Sequence, residues 1–217
     1  SEIHGSRGTM YLVQLQKISL NKKIKLINPR INCKRDLILV QKKIDIDLNQ
    51  ITTIFFDVDG VFTDGSLYYS DSGVNITKFN VHDGMGCLLL KQAGIELLIL
   101  TARHSDAVIK RFKDLGINKI FTKVLKKRDF IKEYSKAHNL VKKELAMMGD
   151  DLQDLAAIDE VGVFFTTPNA IDIVKDNADF ITKRFGGDGA VREICDLIIH
   201  SKGSSSSLEF ERYIEKR

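Results

Sequence analysis

Carboxylates placed at the ends of predicted strands carry the chemistry of this sequence. In Phe55-Phe56-Asp57-Val58-Asp59-Gly60-Val61-Phe62-Thr63-Asp64, Asp57 closes a β-branched and aromatic run and Asp59 follows on the emerging loop. Ligands of open parallel sheets bind just beyond the carboxyl ends of the strands, so both acids are placed for chemistry. A second acidic run, Met148-Gly149-Asp150-Asp151-Leu152-Gln153-Asp154, follows another apolar stretch. Asp151 and Asp154 also stand where acids cap a helix and complement its dipole. Capping does not account for Asp150 gathered with Asp57 and Asp59, because carboxylates at one sheet edge repel unless a cation neutralises them. A few hard oxygen ligands suit Mg²⁺, with water and phosphate oxygens completing its octahedron. Thr101 at the end of a strand can donate to a phosphoryl oxygen, and Lys127 at a helix start can supply a fixed positive charge. Taken singly, such a Thr is usually a cap and such a Lys is usually solvated.

The elements that must hold these groups alternate along the chain. Apolar, β-rich runs over 51–56, 95–100, 119–121, 145–148 and 161–165 predict strands. Helical spacing occupies 85–93, 105–115, 127–138, 152–158 and 170–176, with Gly94 and Gly116 where helix C-terminal glycines belong. This alternation predicts an α/β fold, a doubly wound and mostly parallel sheet with helices on both faces. One stretch departs from it: Leu67-Tyr68-Tyr69 and the run 76–79 flank Asp71-Ser72-Gly73, which predicts an inserted β-hairpin. The four serines 204–207 suggest a mobile tail over 203–217.

Composition narrows the classes. The chain has 217 residues, 43% hydrophobic and 29% charged, enough for one ordinary domain with a real core. The charge is uneven: residues 1–50 hold ten Lys/Arg against four Asp/Glu, and the remainder holds 23 against 25. The basic segment has few aromatics and no nucleic-acid-binding motif, so it is expected to be a solvated extension with no nucleic-acid partner. Residues 1–10 read as a cloning remnant before Met10. No apolar run approaches the roughly 18 residues of a membrane span, and no signal-peptide pattern stands at the start. Cys33, Cys87 and Cys195 lie far apart without a C-x-x-C pair, which argues against a disulfide scaffold or zinc site and predicts a cytoplasmic protein.

The order D-x-D, Thr, Lys, G-D-D-x-x-x-D, each on a successive strand end, resembles the haloacid dehalogenase superfamily of phosphotransferases. Three stretches look like its 3-deoxy-D-manno-octulosonate 8-phosphate phosphatases: 57–65, 79–86 (Phe-Asn-Val-His-Asp-Gly-Met-Gly) and 186–196 (Gly-Gly-Asp-Gly-Ala-Val-Arg-Glu-Ile-Cys-Asp). The resemblance runs from 51 to about 200. It implies a Rossmann-like domain over 51–202 without a separate cap, and a Mg²⁺-dependent phosphatase of a phosphorylated sugar acid in lipopolysaccharide precursor synthesis. By resemblance Asp57 is the nucleophile and Asp59 the general acid and base, while Thr101 and Lys127 bind phosphoryl oxygens. Asp57, Asp59 (through its backbone carbonyl) and Asp150 would hold the metal. Asn80, Val81, His82, Asp83, Gly84, Arg103 and Arg111 would hold the substrate. The hairpin would assemble a homotetramer and cover a neighbour's site. His82 and Leu88 stand where relatives carry Arg, which leaves room for a nonulosonate 9-phosphate as substrate. A non-catalytic oligomerisation module, as in relatives fused to cytidylyltransferases, is opposed by the intact acidic set.

Overall fold

The computed structural model describes residues 47–69, 71 and 75–216. The basic segment before residue 47, and with it most of the expected extension, lies outside them.

Thr53-Ile-Phe-Phe56 is buried along its whole length and forms the central strand β1 (Thr53–Phe56). A short hairpin follows, β2 (Tyr68–Tyr69) paired antiparallel with β3 (Asn75–Ile76). Then come α1 (Val81–Gln92), β4 (Glu96–Leu100), α2 (Asp106–Asp114), β5 (Ile120–Phe121) and α3 (Lys127–Ala137). The second half runs β6 (Leu145–Met148), α4 (Leu152–Leu155), β7 (Val163–Thr166), α5 (Asp172–Asn177), β8 (Phe180–Ile181), α6 (Ala190–Ser201) and α7 (Ser206–Glu215). Six strands form one parallel sheet in the order β5-β4-β1-β6-β7-β8. This is the doubly wound α/β fold that the alternation predicts.

Both faces of the sheet are covered, which is why its strands read as unbroken apolar runs. On one face Phe55, Leu98, Met147 and Phe164 pack with Ile131 and Tyr134 of α3 and Val174 of α5. On the other, Phe56 meets Phe62 edge-on, and Phe62 meets Phe112 of α2 at 4.8 Å between ring centroids. Helix α1 lies along α6 and α7. No described helix is long and apolar enough to cross a membrane.

Two expectations need correction. Helix α1 begins four residues earlier than the spacing suggested, because the Asn80 side chain accepts the His82 N–H at 2.8 Å and caps it. The mobile tail over 203–217 is instead largely the helix α7. Its serines open a helix and are not a linker: Ser205 Oγ caps it by accepting the Leu208 N–H at 3.2 Å, and Ser204 Oγ donates to the buried Glu209 at 2.6 Å. Serine is poor inside a helix but favoured at its start, and composition alone does not separate the two uses.

Candidate active site

The loop after β1 is fixed by its own backbone. The Asp57 N–H continues the sheet by donating to Met148 C=O at 2.9 Å. Val58 C=O then accepts N–H groups from Val61, Phe62 and Thr63, and Thr63 Oγ1 accepts from Gly60 and Gly65 at 3.2 Å each. Gly60 has φ +79°, and a Cβ there would stand 1.9 Å from Asp150 Oδ2. Only glycine allows both the left-handed turn and the approach of that carboxylate.

Lys127, the first residue of α3, is 2% exposed and lies between two carboxylates. Its Nζ donates to Asp57 Oδ1 at 2.6 Å and to Asp154 Oδ1. Asp154 Oδ2 in turn accepts the Asp150 and Asp151 N–H groups at 3.0 and 3.2 Å. Asp154 thus caps α4, as its position suggested, but it also fixes Lys127, a task not foreseen from the sequence. The i, i+4 spacing of acids from Asp150 to Asp154 was the signal available.

Charge at the site is unbalanced. Carboxylate oxygens of Asp57, Asp150 and Asp154 lie within 4.8 Å of one another, against the single ammonium of Lys127. Burial, then the charge of Asp154, pushes the Asp57 carboxyl well above its usual range, although Lys127 opposes the shift. Burial would lower the Lys127 ammonium, but Asp57 and Asp154 raise it overall, so it is charged. Burial and then Asp154 and Asp151 push Asp150 up to about 7. Because both oxygens of Asp154 are already engaged, Asp57 and Asp150 are the pair with lone pairs to offer. Two hard carboxylates whose charged forms are disfavoured by burial and by Asp154 fit a divalent cation such as Mg²⁺.

A pH dependence follows. A carboxyl whose pKa is raised on folding contributes stability below its unfolded value, near 4, that is lost as pH rises through its folded value. For Asp150 that window runs from about pH 4 to about pH 7. Metal-free protein should therefore lose melting temperature across the window, and Mg²⁺ should restore it. The increment in melting temperature from Mg²⁺ is expected to be clearly larger at pH 8 than at pH 5.5, read by calorimetric scans with and without the ion. An increment independent of pH would contradict the assignment of Asp150 as a ligand.

The cleft above this cluster, about 320 Å³, is lined by Asp57, Asp59, Arg103, Lys127 and Asp150 among others. Arg103 Nη1 stands 3.6 Å from Asp59 Oδ1. A smaller hollow of about 40 Å³ joins Asp59, Thr101 and Arg103 to the hairpin residues Tyr68 and Ile76. Thr101 Oγ1 accepts the Arg103 N–H at 3.2 Å, which leaves its own hydrogen to donate. Asp57, Asp59, Thr101, Arg103, Lys127 and Asp150 are thus brought together.

The remaining sequence-predicted residues are not. Asn80, Val81, His82, Asp83, Gly84 and Arg111 line neither hollow. Asp83 is 1% exposed, and its carboxylate accepts N–H groups of Gly189 (3.3 Å) and Arg192 (2.8 Å). It therefore caps α6, whose own N-cap, Gly189, has no side chain to do so. Gly84 makes room for Arg111, whose Nη2 would stand 2.3 Å from a Cβ at that position. Leu88 lines a different groove, with Lys91, Lys113 and Tyr213.

Comparison with known proteins agrees with this geometry. Residues 116–194 match the haloacid dehalogenase-like hydrolase model. The 3-deoxy-D-manno-octulosonate 8-phosphate phosphatase of Haemophilus influenzae is 36% identical over 159 residues, 73% of this chain and 88% of the relative. The solved structure of the Moraxella catarrhalis phosphatase of that name, in complex with magnesium ion, phosphate ion and a KDO molecule, is 35% identical with TM-score 0.71. The match covers 82% of this chain and 97% of that one. The cobalt-bound Haemophilus influenzae structure is 34% identical with TM-score 0.72, over 78% of this chain and 99% of that one. On the fold, the acidic cleft and these relatives together, the chain belongs to the haloacid dehalogenase-like hydrolases, in the family of the 3-deoxy-D-manno-octulosonate 8-phosphate phosphatases.

Proposed function

We propose that this chain hydrolyses 3-deoxy-D-manno-octulosonate 8-phosphate to the free sugar acid and phosphate. The observation that carries this reading is the pairing of buried Asp57 with Lys127 and Asp150 at the carboxyl edge of the sheet, in a chain of this family. Asp57 attacks phosphorus through a carboxylate oxygen, and the bond to the sugar oxygen breaks as Asp59 gives that oxygen a proton. Asp59 then takes a proton from water, which attacks the aspartyl-phosphate and releases phosphate. Lys127 favours the ionised form of Asp57 against burial and Asp154 and offers charge to the phosphoryl oxygens, and the Thr101 hydroxyl donates to another. Bound between Asp57 and Asp150, with the Asp59 carbonyl, Mg²⁺ would offset repulsion between nucleophile and phosphate.

A phosphate-release assay across phosphorylated sugar acids, with Mg²⁺ and with a chelator, tests the reading. The 8-phosphate should give the highest kcat/KM, and the chelator should abolish turnover. Faster hydrolysis of a nonulosonate 9-phosphate, or no Mg²⁺-dependent release from any of them, would overturn it.

The assembly proposed with this function is a homotetramer. Leu67, Tyr68, Tyr69, Ile76 and Val81 are all at least half exposed, an apolar patch on the hairpin and the start of α1 that water solvates poorly. Two-residue strands do not hold a hairpin by themselves, so neighbouring copies are the proposed support. In that arrangement Asn80, Val81 and His82 would serve a neighbour's cleft. Deleting 67–77 should yield a monomer by light scattering, with activity on the sugar phosphate reduced at least about tenfold. A deletion variant that remained tetrameric would remove the hairpin from this role.

A further inference from the structure

The catalytic loop is held from outside by one side chain that neither binds substrate nor touches the acidic cluster. Asn169, in the connection between β7 and α5, donates from Nδ2 to Gly60 C=O at 2.9 Å. Its Oδ1 accepts the Gly186 N–H at 2.8 Å. The amide is therefore spent at both ends, one on the carbonyl of Gly60, the residue after Asp59, and one on the Gly186-Gly187 segment. That segment lies flush on the loop: a Cβ at Gly186 would stand 1.9 Å from Gly60 O, and one at Gly187 would stand 2.6 Å from the Thr63 carbonyl carbon. The Gly187 N–H adds a bond to Val61 C=O at 3.0 Å. Within the loop, Thr63 secures the N–H side of Gly60. From outside, the carbonyl side is met by Asn169 and, at 3.4 Å, by the Thr167 hydroxyl.

We infer that Asn169 is a positioning residue for Asp59, setting where the general acid presents its carboxyl. The inference rests on the assignment of Asp59 as proton donor under Proposed function. A carboxamide carries a donor and an acceptor on one planar group, so it can serve a C=O and an N–H at once. Asp at 169 keeps the acceptor for Gly186 but loses the donor and turns a carboxylate oxygen towards Gly60 C=O. Gly60 C=O is then left with the longer Thr167 contact, and Asp59, joined directly to Gly60, shifts. Nucleophile, Lys127 and Asp150 are held by separate bonds and stay in place.

This separation gives a readout that a purely structural role would not move. A proton donor matters where the leaving group is an alkoxide and little where it is a stabilised phenolate. The experiment measures single-turnover release of the leaving group at saturating enzyme and Mg²⁺. Its two substrates are 3-deoxy-D-manno-octulosonate 8-phosphate and p-nitrophenyl phosphate. For Asn169→Asp and Asn169→Ala the rate on the sugar phosphate should fall about tenfold, with less than about a threefold change on the aryl ester. Asp59→Asn, the reference, should show the same selectivity with a loss of order 10²-fold or more. Equal losses on both substrates in the Asn169 variants, or none on either, would overturn the positioning role while Asp59→Asn remains selective. Equal losses in Asp59→Asn itself would instead overturn the proton-donor assignment, and the inference with it.

Discussion

Asp57→Asn should be folded and inactive, with phosphate release reduced on the order of 10⁴-fold or more, the usual scale for removing a covalent nucleophile. The amide cannot attack phosphorus and brings no charge to a cation, so chemistry and Mg²⁺ affinity fail together. The fold should not suffer. The amide oxygen introduced at position 57 can still accept a hydrogen bond from Lys127, which keeps Asp154 as counter-ion. In the metal-free protein the substitution also relieves the repulsion between Asp57 and Asp154. The melting temperature without Mg²⁺ should thus be equal to or above that of the parent, and the increment on adding Mg²⁺ should shrink. Substantial Mg²⁺-dependent turnover in this variant would sink the covalent mechanism.

Lys127→Met should damage both activity and stability. The side chain is 2% exposed and bonded to two buried carboxylates. Removing one partner of a buried ion pair costs about 3–5 kcal/mol, because the charge left behind has neither water nor partner. The pH dependence gives the test its sign. Asp57 is raised already, and without Lys127 the charge and the hydrogen bond of that residue, which lower it, both vanish, so its folded value rises further. A raised carboxyl leaves stability intact below its unfolded pKa near 4 and loses it as pH rises. The deficit of the variant should therefore be small near pH 4.5 and largest above pH 7, as measured by denaturant unfolding at both. A deficit independent of pH would mean that Lys127 matters for its packing and not for its charge.

The sheet and its loop chemistry are legible in the sequence because both have local signatures. Strands buried on both faces are apolar throughout, and Asp57, Asp59 and Asp150 each follow one closely. Expectations fail where side chains act across the fold. Asp83 sits among residues that look like a binding loop, yet its carboxylate is taken up by the N-terminus of a helix more than a hundred residues away. Nothing within ten residues of Asp83 reveals that, since the start of α6 that lacks a side-chain cap lies at Gly189, far along the chain. Asn169 is silent in the sequence for the same reason, because its partners Gly60 and Gly186 are distant along the chain. The serines before α7 show the converse failure, in which a local composition has two structural uses and only the fold selects between them.

The packing of Gly186 and Gly187 against Gly60 and Thr63 also sets a timetable for the newly made chain. Residues 57–65 leave the ribosome about 125 residues ahead of the segment that completes their surroundings, roughly ten seconds at ordinary elongation rates. Through that interval β1 can begin to pair with β4, while the loop carrying Asp57 and Asp59 still lacks its backing. Ribosome-bound chains halted before residue 186 should therefore hydrolyse nothing, even where the first strands are already protected from proteolysis. Synthesis from the N-terminus thus produces a scaffold first and a competent enzyme only after residues 186 and 187 have emerged.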